Sequence, residues 1–161
     1  MRVGIVSDTH GKHETVQRVV RLLRQLKVEC VLHCGDIDDP ETVQLFSDFP
    51  TNYVFGNCDT DRQALQAAME QSGATLHDGF GSLDIGKYRI AWTHGDNSRL
   101  FRDVQGSEHF DYLFYGHTHV AESHQVGPTM VVNPGALHRA RIKTFMVLDT
   151  GSGALQSVTV A

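Results

Sequence analysis

Five apolar, strand-like runs in this chain end in a side chain able to ligate a metal ion, with a glycine just before that side chain or within its turn. The run VGIVS leads into Asp8-Thr9-His10-Gly11, CVLHCG into Asp36, YVFG into Asn57, RIAWT into His94-Gly95, and YLFYG into His117-Thr118-His119. The donors are two carboxylates, one carboxamide and four imidazoles, with no Lys, Arg or Glu among them. Seven N/O donors exceed one tetrahedral zinc site but suit two five- or six-coordinate divalent ions that share a carboxylate. Asp36, between the two groups of donors in sequence, is the expected bridge. With a bridging hydroxide such a site keeps a charge of about +1 and attracts an anionic phosphoryl group even on an acidic protein. Ions ~3.5–4 Å apart lower the pKa of a shared water and clamp attacking and non-bridging oxygens. No Ser or Cys nucleophile motif competes with this reading. The chemistry expected is hydrolysis of a phosphate ester by the metal-bridging hydroxide.

For residues 8 to 119 to meet, the elements before them must end on one edge, which the carboxyl ends of parallel strands do. Arg2–Ser7 reads as a buried strand, followed by a helix whose apolar face carries Val16, Val19, Val20, Leu22, Leu23 and Leu26. Cys30–His33 is a second strand. Asp39 caps a second helix with Pro40 at its first position, where the missing N–H costs nothing. A third strand is expected at Tyr53–Phe55 and a third helix at Asp61–Ser72. The later part reads as a hairpin of Leu83–Ile85 and Tyr88–Thr93 about Gly86-Lys87, a helix near Arg99–Val104 and a strand at Tyr112–Tyr115. Strands then follow at Ala121–Val126, Met130–Val132, Phe145–Asp149 and Leu155–Val160. The expected fold class is α/β: two stacked mixed β-sheets flanked by helices, forming a single domain over 1–161.

Bulk properties set bounds on partners. The chain has 161 residues, 40% hydrophobic and 20% charged, as in an ordinary globular protein. Its formal charge of -5, from 14 basic and 19 acidic residues, disfavours a grip on long nucleic acid, which needs a basic face. The apolar run after Met1 is too short for a signal peptide or membrane span. Cys30, Cys34 and Cys58 are odd in number and match no disulfide or Cys-x-x-Cys pattern. A reducing cytoplasm is the expected compartment. Oligomeric state is not legible.

In this order, Asp-x-His, Gly-Asp, Gly-Asn, His-Gly and Gly-His-x-His closely resemble the calcineurin-like metallophosphoesterase superfamily. SDTHG at 7–11, GNCD at 56–59 and NPG at 133–135 are similar to its small prokaryotic phosphodiesterase subgroup. The resemblance implies one metal held by Asp8, His10, Asp36 and His119, and a second by Asp36, Asn57, His94 and His117. It also implies that Asn57 orients the substrate phosphate. Manganese is the expected metal, with iron, nickel and zinc also suited to mixed N/O ligands. Many members carry a general-acid His directly after the Asn, where this chain has Cys58. Two residues beyond His94, where relatives often have a second His, stands Asp96; Ala136 follows NPG where Ser is common.

Outside the seven donors, Cys58, Asp96, His138 and Arg139 are candidate substrate contacts, with Asp96 also a candidate to orient an imidazole. His138, Arg139 and Arg141 would steady a phosphate oxygen or form a solvated basic loop. His33 reads as a satisfied core histidine, and His13, His77, His109 and His124 as surface or loop residues. Two other functions compete with a phosphodiesterase acting on small diesters. One is a docking scaffold like the retromer subunit that resembles this fold; the other is a nuclease, disfavoured by the charge balance.

Overall fold

The computed structural model describes residues 1–161. Strand β1 (Arg2–Val6) pairs in parallel with β2 (Cys30–His33), β2 with β3 (Thr51–Tyr53), and β3 with β4 (Thr75–Leu76). The first sheet is completed on the other side of β1 by two antiparallel strands, β10 (Thr144–Asp149) and β11 (Ala154–Thr159). In the second sheet β5 (Phe80–Ile85) forms the hairpin with β6 (Tyr88–Thr93), and Gly86 supplies the positive φ of 63° that the turn requires. That sheet continues in parallel through β7 (Tyr112–Phe114) to β9 (Thr129–Asn133) and ends in the antiparallel edge strand β8 (Glu122–Val126). Both sheets are mixed, as expected.

Side-chain alternation stacks the sheets. Val3 and Ile5 of β1 point inward with Leu32, Trp92, Phe114 and Leu148, making the core between the two layers. Val6 points outward, where α1 (His13–Gln25) lays Val16, Val19, Val20 and Leu23 on it with Val31, Phe145 and Val147. These four recur at helical spacing and are buried, whereas Leu22 and Leu26 flank the stripe half-buried. Each fully buried aliphatic contributes ~1.5–3 kcal/mol relative to exposure. Asp39 caps α2 (Pro40–Leu45) by accepting from Thr42 N at 2.8 Å, and Asp61 caps α3 (Arg62–Ser72) by accepting from Ala64 N at 3.1 Å. Val43 and Leu65 of these helices cover Tyr53. On the outer face of the second sheet, α4 (Ser98–Gln105) packs Leu100, Phe101 and Val104 against Leu113 and Val131.

Two details correct the sequence expectation. The third strand lies at Thr51–Tyr53 rather than Tyr53–Phe55, because Phe55 N turns away to donate to Asp78 O at 2.6 Å as the chain dives toward Gly56. The two-residue β4 is too short to carry a periodic signal. No helix is long and apolar enough to cross a membrane.

Candidate metal centre

Five parallel strand ends, β1, β2 and β3 of one sheet and β6 and β7 of the other, open onto a common edge. The first two loops are laced together: Asp8 N donates to Gly35 O at 3.1 Å, His10 N to Asp36 O at 3.0 Å, and Gly11 N to Ile37 O at 3.2 Å. The loops wind unusually tightly. Asp8, His10, Asp36, His117 and His119 all have φ between 45° and 67°, a left-handed conformation that non-glycine residues seldom adopt. Gly56 and Gly116 are required by close approach, since a Cβ at Gly56 would strike the Asp36 carboxylate and one at Gly116 the Ser7 hydroxyl.

All seven donors meet. The ligand atoms of Asp8, His10, Asp36 and His119 lie within 4.8 Å of one another, with His119 Nε2 3.1 Å from Asp8 Oδ1. Asp36 Oδ2 stands 3.5 Å from His10 Nε2 and 3.3 Å from His94 Nε2, so one oxygen faces both groups. Asn57 Oδ1 then lies 3.0 Å from His94 Nε2 and 3.1 Å from His117 Nδ1. Asp8, Asp36 and His94 are buried, while Asn57 and His117 are exposed on the open side.

This donor set fits a cation. Asp8 Oδ1 and His10 Nε2 are buried and make no hydrogen bond, a costly arrangement unless a charged partner binds there. Burial alone would raise the Asp36 carboxyl and depress His94. Their mutual contact outweighs both effects, holding Asp36 well below the usual carboxylate range and lifting His94 to about 9.

Several groups that sequence reasoning passed over hold these donors in place. Buried Asp59 accepts from Asp36 N (3.0 Å), Ile37 N (2.7 Å), Asp38 N (2.9 Å) and Gly56 N (2.7 Å), tying the Asp36 loop to the Asn57 loop. The Cys34 carbonyl accepts from His94 Nδ1 at 2.8 Å, and Asp38 Oδ2 lies 3.3 Å from His10 Nδ1. Each fixes the imidazole nitrogen turned away from the centre. Asn133 donates to Gly116 O at 2.9 Å and Thr118 Oγ1 at 3.0 Å, so the NPG turn braces the Gly-His-x-His loop. The available signal was a shared Gly-x-x-Asp pattern, in GDID at 35–38 and GNCD at 56–59.

The other expected contacts divide. Cys58 adjoins the centre, donating its N–H to Asp36 Oδ1 at 2.9 Å, with its Sγ 3.6 Å from Asn57 Nδ2. Burial and the Asp36 charge push its thiol up to about 11. Asp96 is exposed and bonds to neither neighbouring imidazole, so it does not orient His94; the Cys34 carbonyl already occupies that nitrogen. His138 is half-buried with its ring 5.7 Å from that of His10, whereas Arg139 is exposed and bonds to none of the donors. His33 is the satisfied core histidine expected: stacked on Tyr53, it accepts from Gly35 N at 3.2 Å and meets Thr9 Oγ1 at 3.1 Å. His77 lies, as expected, in a loop, between β4 and β5, where it is half-buried, held by Asn52 at 2.9 Å and packed on Trp92.

Two stacked mixed sheets with an Asp/His cluster on their shared edge define a phosphoesterase fold. The chain belongs to the calcineurin-like phosphoesterase superfamily, whose domain matches residues 1–153. It is 29% identical to a phosphodiesterase of Methanocaldococcus jannaschii over 155 residues, 93% of each chain. A solved archaeal phosphodiesterase superposes with a TM-score of 0.91 at 27% identity, covering 99% of both chains. Vps29 of Chaetomium thermophilum superposes with a TM-score of 0.70 at 15% identity, over 99% of this chain and 98% of that one, a likeness of fold alone. The chain is thus a metal-dependent phosphoesterase.

Proposed function

We propose that the chain is a cytoplasmic, dinuclear phosphodiesterase acting on small diesters, with manganese its preferred metal and iron, nickel or zinc also suited to the donors. The observation that carries this reading is Asp36 Oδ2, which faces His10 on one side and His94 on the other at similar distances. Asp8, His10, Asp36 and His119 would hold one cation, and Asp36, Asn57, His94 and His117 the other. Bound there, a pair of divalent cations supplies Lewis acidity toward phosphoryl oxygens and lowers the pKa of coordinated water. The chain's own residues do the rest. The exposed Asn57 carboxamide, pinned between His94 and His117, orients the phosphate on the open side. Cys34 and Asp38 keep two imidazoles turned to the centre. Cys58 presents a neutral thiol where a proton must reach the leaving group, and such a thiol is a poor acid. A docking scaffold has no use for a buried, unpaired Asp8 oxygen facing His119.

The test is Asp36→Asn. Hydrolysis of an aryl phosphodiester with added Mn²⁺ is expected to fall on the order of a hundredfold or more, with loss of bound metal by elemental analysis. Wild-type rates in the purified variant would refute the reading.

A further inference from the structure

The first sheet ends on β11, and this edge is bare. The run Ala154 to Ala161 includes no charged residue, glycine or proline. Leu155 packs against the core between the sheets and Val158 against the layer under α1, so both faces hold the strand in place. Val160 N donates to Lys143 O at 2.8 Å, and by antiparallel alternation Gln156 and Val158 bond to β10 in step with it. The N–H and C=O groups of Leu155, Ser157 and Thr159 therefore point away from the sheet, and none has a partner. No bulge interrupts the edge, since the register with β10 runs unbroken from Ala154 to Thr159. The other sheet edges are blunted: β4 has two residues, β5 carries Gly81 and Asp84, and β8 carries Glu122. Proteins blunt such edges because a bare row of donors and acceptors recruits another strand.

We propose that β11 is a dimer interface, pairing antiparallel with β11 of a second copy of this chain about a two-fold axis at Ser157. In that register Ser157 faces Ser157 of the other copy and Leu155 faces Thr159. Every unpaired edge group then meets one of the opposite kind, and two six-stranded sheets become one. The ends also match in charge. Antiparallel pairing brings the Thr159 end of one strand beside the Ala154 end of the other. Arg18 and Arg21 of α1 flank the first end with Thr159, and Asp149 flanks the second with Ala154, where it also meets Arg2 at 3.7 Å. Guanidinium groups thus approach a carboxylate on both sides of the axis, a match that the chain makes with its own copy. A six-residue edge is small beside the ~1,200–2,000 Å² that stable interfaces bury, so the expected Kd is micromolar.

The test is sedimentation equilibrium on the full chain from about 1 to 200 µM, where a dimer is expected to build up toward the upper end. Ser157→Pro deletes an outward N–H and leaves the bonds to β10 in place. It is expected to raise the dimer Kd at least about tenfold. None of the seven donors lies on β11, so circular dichroism and phosphodiester hydrolysis are expected to stay unchanged. Ser157→Lys, which sets two ammonium groups against each other at the axis, is expected to weaken the dimer likewise, with partial recovery in salt. It carries the test should the proline variant not fold. Ser123→Lys on the β8 edge is expected to leave the dimer as it is. A wild type that stays monomeric throughout would overturn the interface and leave the edge to an extended segment of another protein. A dimer that survives both Ser157 variants, or that Ser123→Lys also disrupts, would place the contact elsewhere and overturn it too.

Discussion

On the proposed reading, Cys58 sets which esters this centre can cleave. A thiol pushed up to about 11 by burial and the Asp36 charge is a weak general acid near neutral pH, so an alkoxide leaving group gains little assistance from it, whereas an aryloxide can leave without any. Across a series of diesters of rising leaving-group pKa, rates are therefore expected to fall steeply, and Cys58→His is expected to raise alkyl-ester turnover about tenfold or more. A flat series would sink this account. His33 sets a different pH dependence. Burial, followed by the neighbouring His94 charge, depresses it to about 3 from an ordinary 6.5. The unfolded chain therefore binds the extra proton across that window and the fold does not. Stability is full above pH 6.5 and falls as pH drops toward 3, by up to ~1.4 kcal/mol per unit. His33→Gln should flatten the slope of denaturant-derived stability between pH 6.5 and 4 by about one proton's worth; an unchanged slope would refute the assignment. The seven donors were legible because polar side chains ending apolar runs are rare unless they share a task. Asp59 escaped notice because its partners are backbone N–H groups, which no side-chain pattern reports.

The β7-to-β8 connection shows how one element positions chemistry for another. Gly116 brings His117 and His119 down onto β1, where His117 N donates to Asp8 Oδ2 at 3.2 Å. Gly116→Ala would drive a methyl group into Ser7 and Asp8, lifting the loop without emptying the core. The expected outcome is a fold intact by circular dichroism, with activity down at least about tenfold, since displacements near 1 Å at a reacting centre cost that much or more. Loss of the fold, or unchanged activity, would contradict it. Most elements could be read from periodicity: α1 from its Val16, Val19, Val20, Leu23 stripe, and the β5–β6 hairpin from Gly86. The third strand was displaced because Val54 and Phe55 are as apolar as a strand interior yet belong to the descent toward Gly56. Burial and pairing differ there, and sequence reports only burial.

Across the whole molecule the centre is also a joint. Asp8, His10, Asp36 and Asn57 come from loops of the first sheet, and His94, His117 and His119 from loops of the second. A cation held between them would bind the folded chain and not the unfolded one. At free Mn²⁺ about 100 times its Kd, linkage adds ~2.7 kcal/mol, or roughly 5–10 °C in Tm for a chain of this size. Scanning calorimetry with and without chelator is expected to show that shift, and identical midpoints would mean that the donors hold nothing. The stacking of the sheets was legible from strand alternation, but their shared edge was an inference from parallel connections rather than from any one residue. The left-handed winding of Asp8, His10, Asp36, His117 and His119 bears on how such a protein can change over generations. Glycine would sit in each of those conformations with less strain, so replacing any of the five by glycine would relax the backbone while deleting a side chain from the pocket, a trade of durability against chemistry.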